Sequence, residues 1–580
     1  MATPSLWFDN RIPKPASSAS LVEYLRWMRV YVDNGTIKSG TILELFQKFE
    51  NKSDSSRRLQ RLCDRIERLA DESFIAECSW RVRVGGLRGP EQMLLPAFDA
   101  SGIPYIPSST LKGIARSAAE AEVGEKRSRE IFGTIETDSN VMGQVAFLDA
   151  YPLPDEEEDN SNGGLSLDIA NQIWKWEGTQ FPRYNTNPNL FVSLKESRFR
   201  VGLRKLNCDD ATFARVVNWL KLGLSRGIGA QVNSGYGTLI AEDTEPEKPL
   251  MLVRFELTGQ LIHGHQEFNE WKTDWNSPGN AVAELRPIAF RSMLRYWFRA
   301  LAAGVLSNAK VQELEMDLFG GLEPPRTGVF RLEVDGTIER LPSRRSPGLM
   351  KGNLSFFLCS CAHRQVEKSL LKKLLQYLTW LAFHLGGVGQ GARRPCYDRT
   401  QRANARPPYW RGSTLKATSS HPFWANPDNV EEFQELFAKR MRGFYKVLGE
   451  LVGTKLNFRK PRSVRPQLPT ETQWAEAIDV QCEIVCVAGK ASNYKPFALA
   501  ELHSLAYQND GSYNPALCGD SNTKPSPIWI ADIDSNYQVV TVFGAREATR
   551  MGYLDRLNVK VVKASDFVEL WPLPKPKKKT

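Results

Sequence analysis

The sequence predicts an α+β protein built from a duplicated unit, and three observations carry that reading. The chain has 580 residues, enough for several domains of about 150 residues each. Hydrophobic residues make up 42% and charged residues 24%, the balance of a chain that buries a core. Five sequence elements recur in the same order on either side of the charged, proline-bearing stretch 242–249, where the main domain boundary is expected.

Residues 1–73 read as a helical extension. Leu59, Leu62, Ile66 and Leu69 recur at helical spacing, with Arg57, Arg58, Arg61, Arg65 and Arg68 around them. A surface helix packed on the next domain is the plain reading, and a nucleic-acid contact through the arginines is the alternative. The first domain, 74–243, opens on the strand-like run 74–84, which ends at Gly85-Gly86. A loop leads to Pro-Tyr-Ile-Pro-Ser-Ser-Thr-Leu-Lys-Gly (104–113), which enters a helix. Then come Ile131-Phe132-Gly133, a strand over 143–149, an acidic exposed loop over 154–164 and the glycine-rich segment 226–237. The second domain, 250–570, replays this order. It has a strand over 252–259, a loop around His263-Gly264-His265, Glu-Leu-Arg-Pro (284–287), a helix through Trp297, Leu318-Phe319-Gly320, a strand over 328–334 and the glycine-rich segment 386–394. Residues of about 400–520 read as an insertion, and 571–580 as a basic tail open to loose phosphate contact. Strand, helix, strand and helix in this order fit a ferredoxin-like sandwich, with helices on one face of an antiparallel sheet.

The chemistry follows from residue types. In Pro107-Ser108-Ser109-Thr110 a hydroxyl caps the helix and leaves backbone N–H groups at its N-terminus. Lys112 and Arg116 stand four apart, as do Arg291 and Arg295, so each pair projects from one helix face. Two cations beside a helix N-terminus suit a phosphodiester backbone, whereas the plain reading is long side chains reaching into solvent. Gly227 and Gly229 lack the spacing of a dinucleotide loop. With Gly235, Gly387 and Gly389, they would let a polyanion approach bare main-chain amides. Arg226, Ser234 and Tyr236 in one unit, and Arg286, Arg393 and Arg394 in the other, would add charge, a hydroxyl and a stacking face. A tight turn after a helix is the plain alternative.

Other classes are set aside on composition. Apolar runs such as 378–385 are too short to cross a bilayer, and residues 1–14 carry no secretory signal pattern. Nine cysteines without a CxxC pair, and only six histidines, read as reduced thiols in a cytoplasmic protein with no metal site and no cofactor. A formal charge of +10 fits a polyanionic partner.

The motif at 104–113, Phe132-Gly133 and Gly-Ile-Gly-Ala-Gln-Val-Asn-Ser-Gly-Tyr-Gly (227–237) together resemble the RAMP superfamily, RNA-binding repeat proteins of type III CRISPR effectors. The first half resembles the sixth subunit of the Cmr complex. The second, with 284–287, Arg-Tyr-Trp-Phe-Arg-Ala-Leu (295–301) and Gly-Gly-Val-Gly (386–389), resembles the first Cmr subunit. The resemblance implies two tandem modified ferredoxin-like (RRM-like) RAMP domains with insertions. It also implies an antiviral RNA-binding subunit near the 3′ part of a guide RNA, whose partners are guide RNA, target RNA and other effector subunits. RNA-cleaving members of the family carry an aspartate before a Leu-Leu-Pro-like stretch, where this chain has Met93. Asp274, near His263, His265, Glu267 and Glu270, and Asp99 are the remaining candidates for cleavage. Tyr236 or His384 would be the base of a precursor-processing nuclease. The reading adopted is binding, with no catalytic residue assigned.

Overall fold

The computed structural model describes residues 16–574, apart from 28–31, 34–35, 38–45, 47–48, 51–52, 86–93, 137–138, 155–161, 171–173, 178–180, 185–188, 268–279, 323, 360–361, 363, 402–406, 465–475, 510–511 and 521–523. Met93, Glu270, Asp274, most of the acidic loop and most of the basic tail lie outside the described residues. The chain divides into two compact units. Unit 1 comprises Met1–Ala170, Pro188–Lys248 and His265–Asn280, and unit 2 comprises Asn171–Asn187, Pro249–Gly264 and Ala281–Thr580.

Unit 1 is built on one antiparallel sheet, in the order Leu239–Ala241, Glu72–Cys78, Arg198–Lys205, Val145–Phe147. Numbered along the chain as strands 1 to 4, this is the order 4-1-3-2. Helix Ser108–Phe132 joins strands 1 and 2, and helix Asp210–Arg226 joins strands 3 and 4. The second helix starts at Asp209, whose carboxylate accepts the Thr212 N–H at 2.7 Å, and stops at Gly227 with φ of +104°. Phe199, Val201 and Leu203 point from strand 3 into a core with Leu111, Ala115, Val216 and Leu220. The strand expected over 74–84 breaks at Ser79-Trp80. Its second part, Arg81–Val82, joins a separate three-stranded sheet with Asn189–Lys195 and Leu165–Ala170.

The other face of the sheet is closed by helix Ser56–Leu69. Its buried residues are Leu59, Cys63 and Ile66, while Leu69 is 42% exposed, so the buried stripe is rotated from the one expected. Gly202 makes this contact possible, because a Cβ there would lie 2.5 Å from Ile66 Cγ2. Arg200, on the same face, pairs with Glu67 at 2.9 Å.

Unit 2 contains two such sheets. The first runs Ser413–Ala417, Met251–Gly259, Gly348–Leu358, Phe330–Arg340, and the second Phe567–Trp571, Glu483–Val487, Tyr537–Val542, Ile528–Ile533. Both are antiparallel, and both again read 4-1-3-2. In the first, helices Pro287–Ala303 and Lys368–Leu385 fill the connecting positions. In the second, helices Phe497–Leu502 and Ala548–Lys560 do so. The stretch read as an insertion therefore holds the fourth strand of one sheet, helix Val430–Val452 and the first strand of a third copy of the pattern. Strand Met251–Gly259 alternates, with Val253, Phe255 and Leu257 inward and Leu252 and Arg254 outward. Strand Tyr537–Val542 is buried on both faces. Trp297 and Trp529, with ring centroids 5.0 Å apart, lie in a core shared by both sheets.

Candidate nucleic-acid interface

In unit 1 the helix at Ser108 is capped differently from the sequence expectation. Pro107 is the N-cap, no hydroxyl caps the helix, and the Ser108 N–H is taken by Asp149 Oδ1 at 2.7 Å. A carboxylate thus occupies part of the dipole end that was assigned to phosphate. Ser109 is exposed and Lys112 half-buried, with no charged partner for Lys112 among the described residues. Arg116 pairs with Glu120 at 2.9 Å on the helix surface, a contact of small energetic weight. Arg226, in the last turn of helix Asp210–Arg226, is half-buried and has no ion pair among the described residues.

The glycine-rich turn after Arg226 is bound to its own protein. Gly227, Gly229, Gly235 and Gly237 all have positive φ. A Cβ at Gly229 would lie 2.2 Å from Arg83 O, and one at Gly237 2.0 Å from Ile228 O. The Ile228, Ala230, Ser234, Gly235 and Gly237 amides all donate to backbone carbonyls. Among the described residues this is a packed turn, and most of the amides expected to be bare are satisfied. Ser234 is buried, and so is Tyr236, whose hydroxyl donates to Asp168 Oδ2 at 2.7 Å. The same buried carboxylate accepts from Ser193 Oγ at 3.2 Å and lies 3.8 Å from Arg81 Nη1. Tyr236 is therefore a core residue over a buried charge pair and offers no face for a base. The sequence signal for this cluster was faint: one carboxylate inside the apolar run 167–170.

Asp99 is a turn residue, since Oδ1 accepts the Ser101 and Ile103 N–H groups at 2.8 and 2.9 Å. The Tyr151 hydroxyl donates to its Oδ2 at 3.3 Å, and burial, then Asp99 and Asp149, push the Tyr151 phenol upward.

Comparison with known proteins adds the decisive observation: the RAMP superfamily model matches residues 74–240, the stretch that forms the first 4-1-3-2 sheet and its two helices. Over this stretch, 167 of the 580 residues, the chain is similar to the RAMP superfamily. The chain is also similar to a curated relative, "CRISPR system CMR subunit Cmr6" of Saccharolobus solfataricus, at 48% identity over 54 residues. That alignment takes in 9% of this chain and 18% of the relative, so the match spans about a fifth of the relative's length. Among solved structures, one titled "Cryo-EM structure of the Type III-B Cmr-beta bound to cognate target RNA" is 19% identical, with a TM-score of 0.27 over 39% of this chain and 81% of that one. The crystal structure of Cmr6 from Pyrococcus furiosus is 20% identical, with a TM-score of 0.18 over 29% and 97%.

Beyond the matched RAMP stretch, unit 2 turns its cations inward. Arg286 pairs with Glu284 at 2.6 Å, and both are buried. Arg291 Nη2 donates to Phe319 O. Burial, then the neighbouring Arg295 charge, lower the Arg291 guanidinium to about 9. Arg295 Nε donates to Glu315 Oε1 at 2.5 Å, and Arg299 reaches both Glu315 oxygens at 2.6 and 2.7 Å. Trp176 Nε1, on the hairpin Trp174–Glu177/Phe181–Tyr184 of unit 2, donates to Oε2 at 3.2 Å. Burial would raise the Glu315 carboxyl, but Arg299 and Arg295 outweigh it and hold it at about 2. The Arg291/Arg295 pair was expected to face phosphate; instead Arg295 joins Arg299 on the buried Glu315 carboxylate and Arg291 donates to a backbone carbonyl.

Gly387 and Gly389 belong to a turn as well. The Gly387 N–H donates to Ala392 O at 2.8 Å, and only Gly389 of the two is exposed. Arg393 grips both Glu476 oxygens at 2.6 and 3.0 Å and lies 4.6 Å from the Trp529 ring. Arg394 donates to Ile528 O at 2.5 Å and to Ser526 Oγ at 2.7 Å. These arginines fasten the turn to the edge of the third sheet. His384 is buried with its two ring nitrogens on Trp380 O at 2.6 Å and Asn426 Oδ1 at 2.8 Å. Both bases considered for precursor cleavage are thus committed inside the protein.

Proposed function

We propose that the chain is an RNA-binding subunit of a type III CRISPR effector, holding the 3′ part of the guide RNA and of the guide–target duplex and joining neighbouring subunits. The observation that carries this is the RAMP match on a complete 4-1-3-2 sheet, repeated twice more in unit 2. We read each of the three sheets as a modified ferredoxin-like module. The similarity of the first to a Cmr6 protein supports a Cmr-type assembly. Of the residues expected to meet RNA, Ser109, Lys112, Arg116, Arg226 and Gly229 keep exposed or half-exposed positions in the RAMP domain. The second-half arginines serve packing in this reading. Guide RNA, target RNA and other effector subunits are the partners, and the binding is to backbone, independent of sequence.

The test is Lys112→Glu with Arg226→Glu in the full chain, titrated with guide RNA over a salt series. Loss of two phosphate contacts to a single strand lowers the slope of log K against log salt by about 1.4. Unchanged affinity and slope would refute the assignment. Arg291→Glu is no substitute, because Arg291 lies against the buried Glu315 network and its loss tests folding.

A further inference from the structure

We infer that helix Ser56–Leu69 carries a second nucleic-acid surface, a ridge of Arg57, Arg61, Arg65 and Arg68 that tracks the phosphates of a single RNA strand. The helix lies outside the RAMP match, which begins at residue 74. It packs on the sheet face opposite helices Ser108–Phe132 and Asp210–Arg226, so the ridge is separate from Lys112 and Arg226.

At about 100° per residue, positions 57, 68, 61 and 65 fall within an arc of about 80°. Leu59, Cys63 and Ile66 occupy the opposite side and are buried against the sheet. All four arginines are exposed. The helix fixes their backbone positions over about 16 Å, with successive positions about 4.5–6 Å apart along its axis.

The cations also outnumber the acids beside them. The helix carries two acids. Glu67 is engaged by Arg200 at 2.9 Å, and Asp64 Oδ1 accepts from Gln60 Nε2 at 2.7 Å. Among the described residues, none of the four arginines has an ion-pair partner, and the first turn of the helix holds no acid. Arg204 projects from the same sheet face as Arg200 and is exposed too. Four cations with one acid, Asp64, at the edge of their arc leave an excess of positive charge that fits a regularly charged polymer, and the +10 chain charge adds long-range attraction of the same sign.

The experiment uses the full chain and an unstructured single-stranded RNA of mixed sequence, titrated at several salt concentrations. Three variants are compared: all four arginines to alanine, all four to lysine, and the alanine set combined with Lys112→Glu and Arg226→Glu. The alanine set is expected to reduce the salt slope by about 3, four contacts at about 0.7 each, and the lysine set to retain most of it. The combined variant loses a further share, about 1.4, which separates this ridge from the RAMP-domain surface. A slope change below 1 in the alanine set, with an unchanged melting curve, overturns the ridge, whatever the Lys112 and Arg226 substitutions do. Loss of RNA binding in the lysine set as well would show that shape at these positions matters and charge does not, and this too overturns it. An acidic protein surface as the true occupant would leave the RNA slope untouched, the same overturning result.

Discussion

Replacing Glu315 by glutamine keeps the shape of the side chain and removes the charge that Arg295 and Arg299 share. The consequence is worked from geometry. Arg299 is 4% exposed and Glu315 fully buried, at 2.6 Å, so the substitution leaves a guanidinium desolvated without its counter-charge. Breaking a buried pair in this way costs about 3–5 kcal/mol. The depressed Glu315 carboxyl points to a cost of similar size. A carboxyl lowered from its ordinary 4.5 to about 2 carries about 3 kcal/mol of folded-state preference at neutral pH. Because the folded-state value is depressed, this contribution is complete above about pH 4.5 and is lost as pH falls toward 2. The assay is hydrogen exchange on peptides of helices Pro287–Ala303 and Asn308–Phe319, which flank the network. Glu315→Gln is expected to raise exchange through cooperative opening by about 150-fold or more at pH 7, and the gap to the parent chain should close in acid. Adding Arg299→Met should recover much of the loss, since an apolar pair needs no desolvated charge. Protection changed by less than threefold at pH 7 would show that the network does not hold these helices together.

Four further outcomes follow from particular contacts. Tyr236→Phe should leave RNA affinity unchanged and destabilise unit 1 by about 1.5–3 kcal/mol in a urea melt, because a bond to a buried carboxylate is lost while the ring stays. Gly237→Ala should cost more than 2 kcal/mol, combining φ of +81° with a Cβ 2.0 Å from Ile228 O. Gly113→Ala, with nothing within 4 Å of the added Cβ in helix Ser108–Phe132, should stabilise by about 0.5–1 kcal/mol. Gly202→Val should lever helix Ser56–Leu69 off the sheet, seen as new proteolytic cleavage in residues 56–69 while the core of unit 1 stays resistant.

Much of the architecture can be read in the chain because period and punctuation are local. Alternation in 251–259 and the glycine after Arg226 mark a strand and a helix end without any partner present. The third copy was harder to read, since strands such as Tyr537–Val542 are buried on both faces and show no alternation, and its glycine-rich signature is missing. The site was legible only as residue types. Helical spacing places Arg291 and Arg295 on one face but does not say whether that face meets solvent or a buried Glu315 contributed by the next helix. The same limit applies to Arg393 and Arg394, whose partners Glu476, Ser526 and Ile528 lie more than 80 residues away.

The repeated α+β order and the glycine turn after helix Asp210–Arg226 follow from the sequence alone. Those depend on backbone conformation and near-neighbour spacing. Only the tertiary structure decided which cations are free. An arginine's role is set by the nearest counter-charge in space, and that charge comes from another element of the fold.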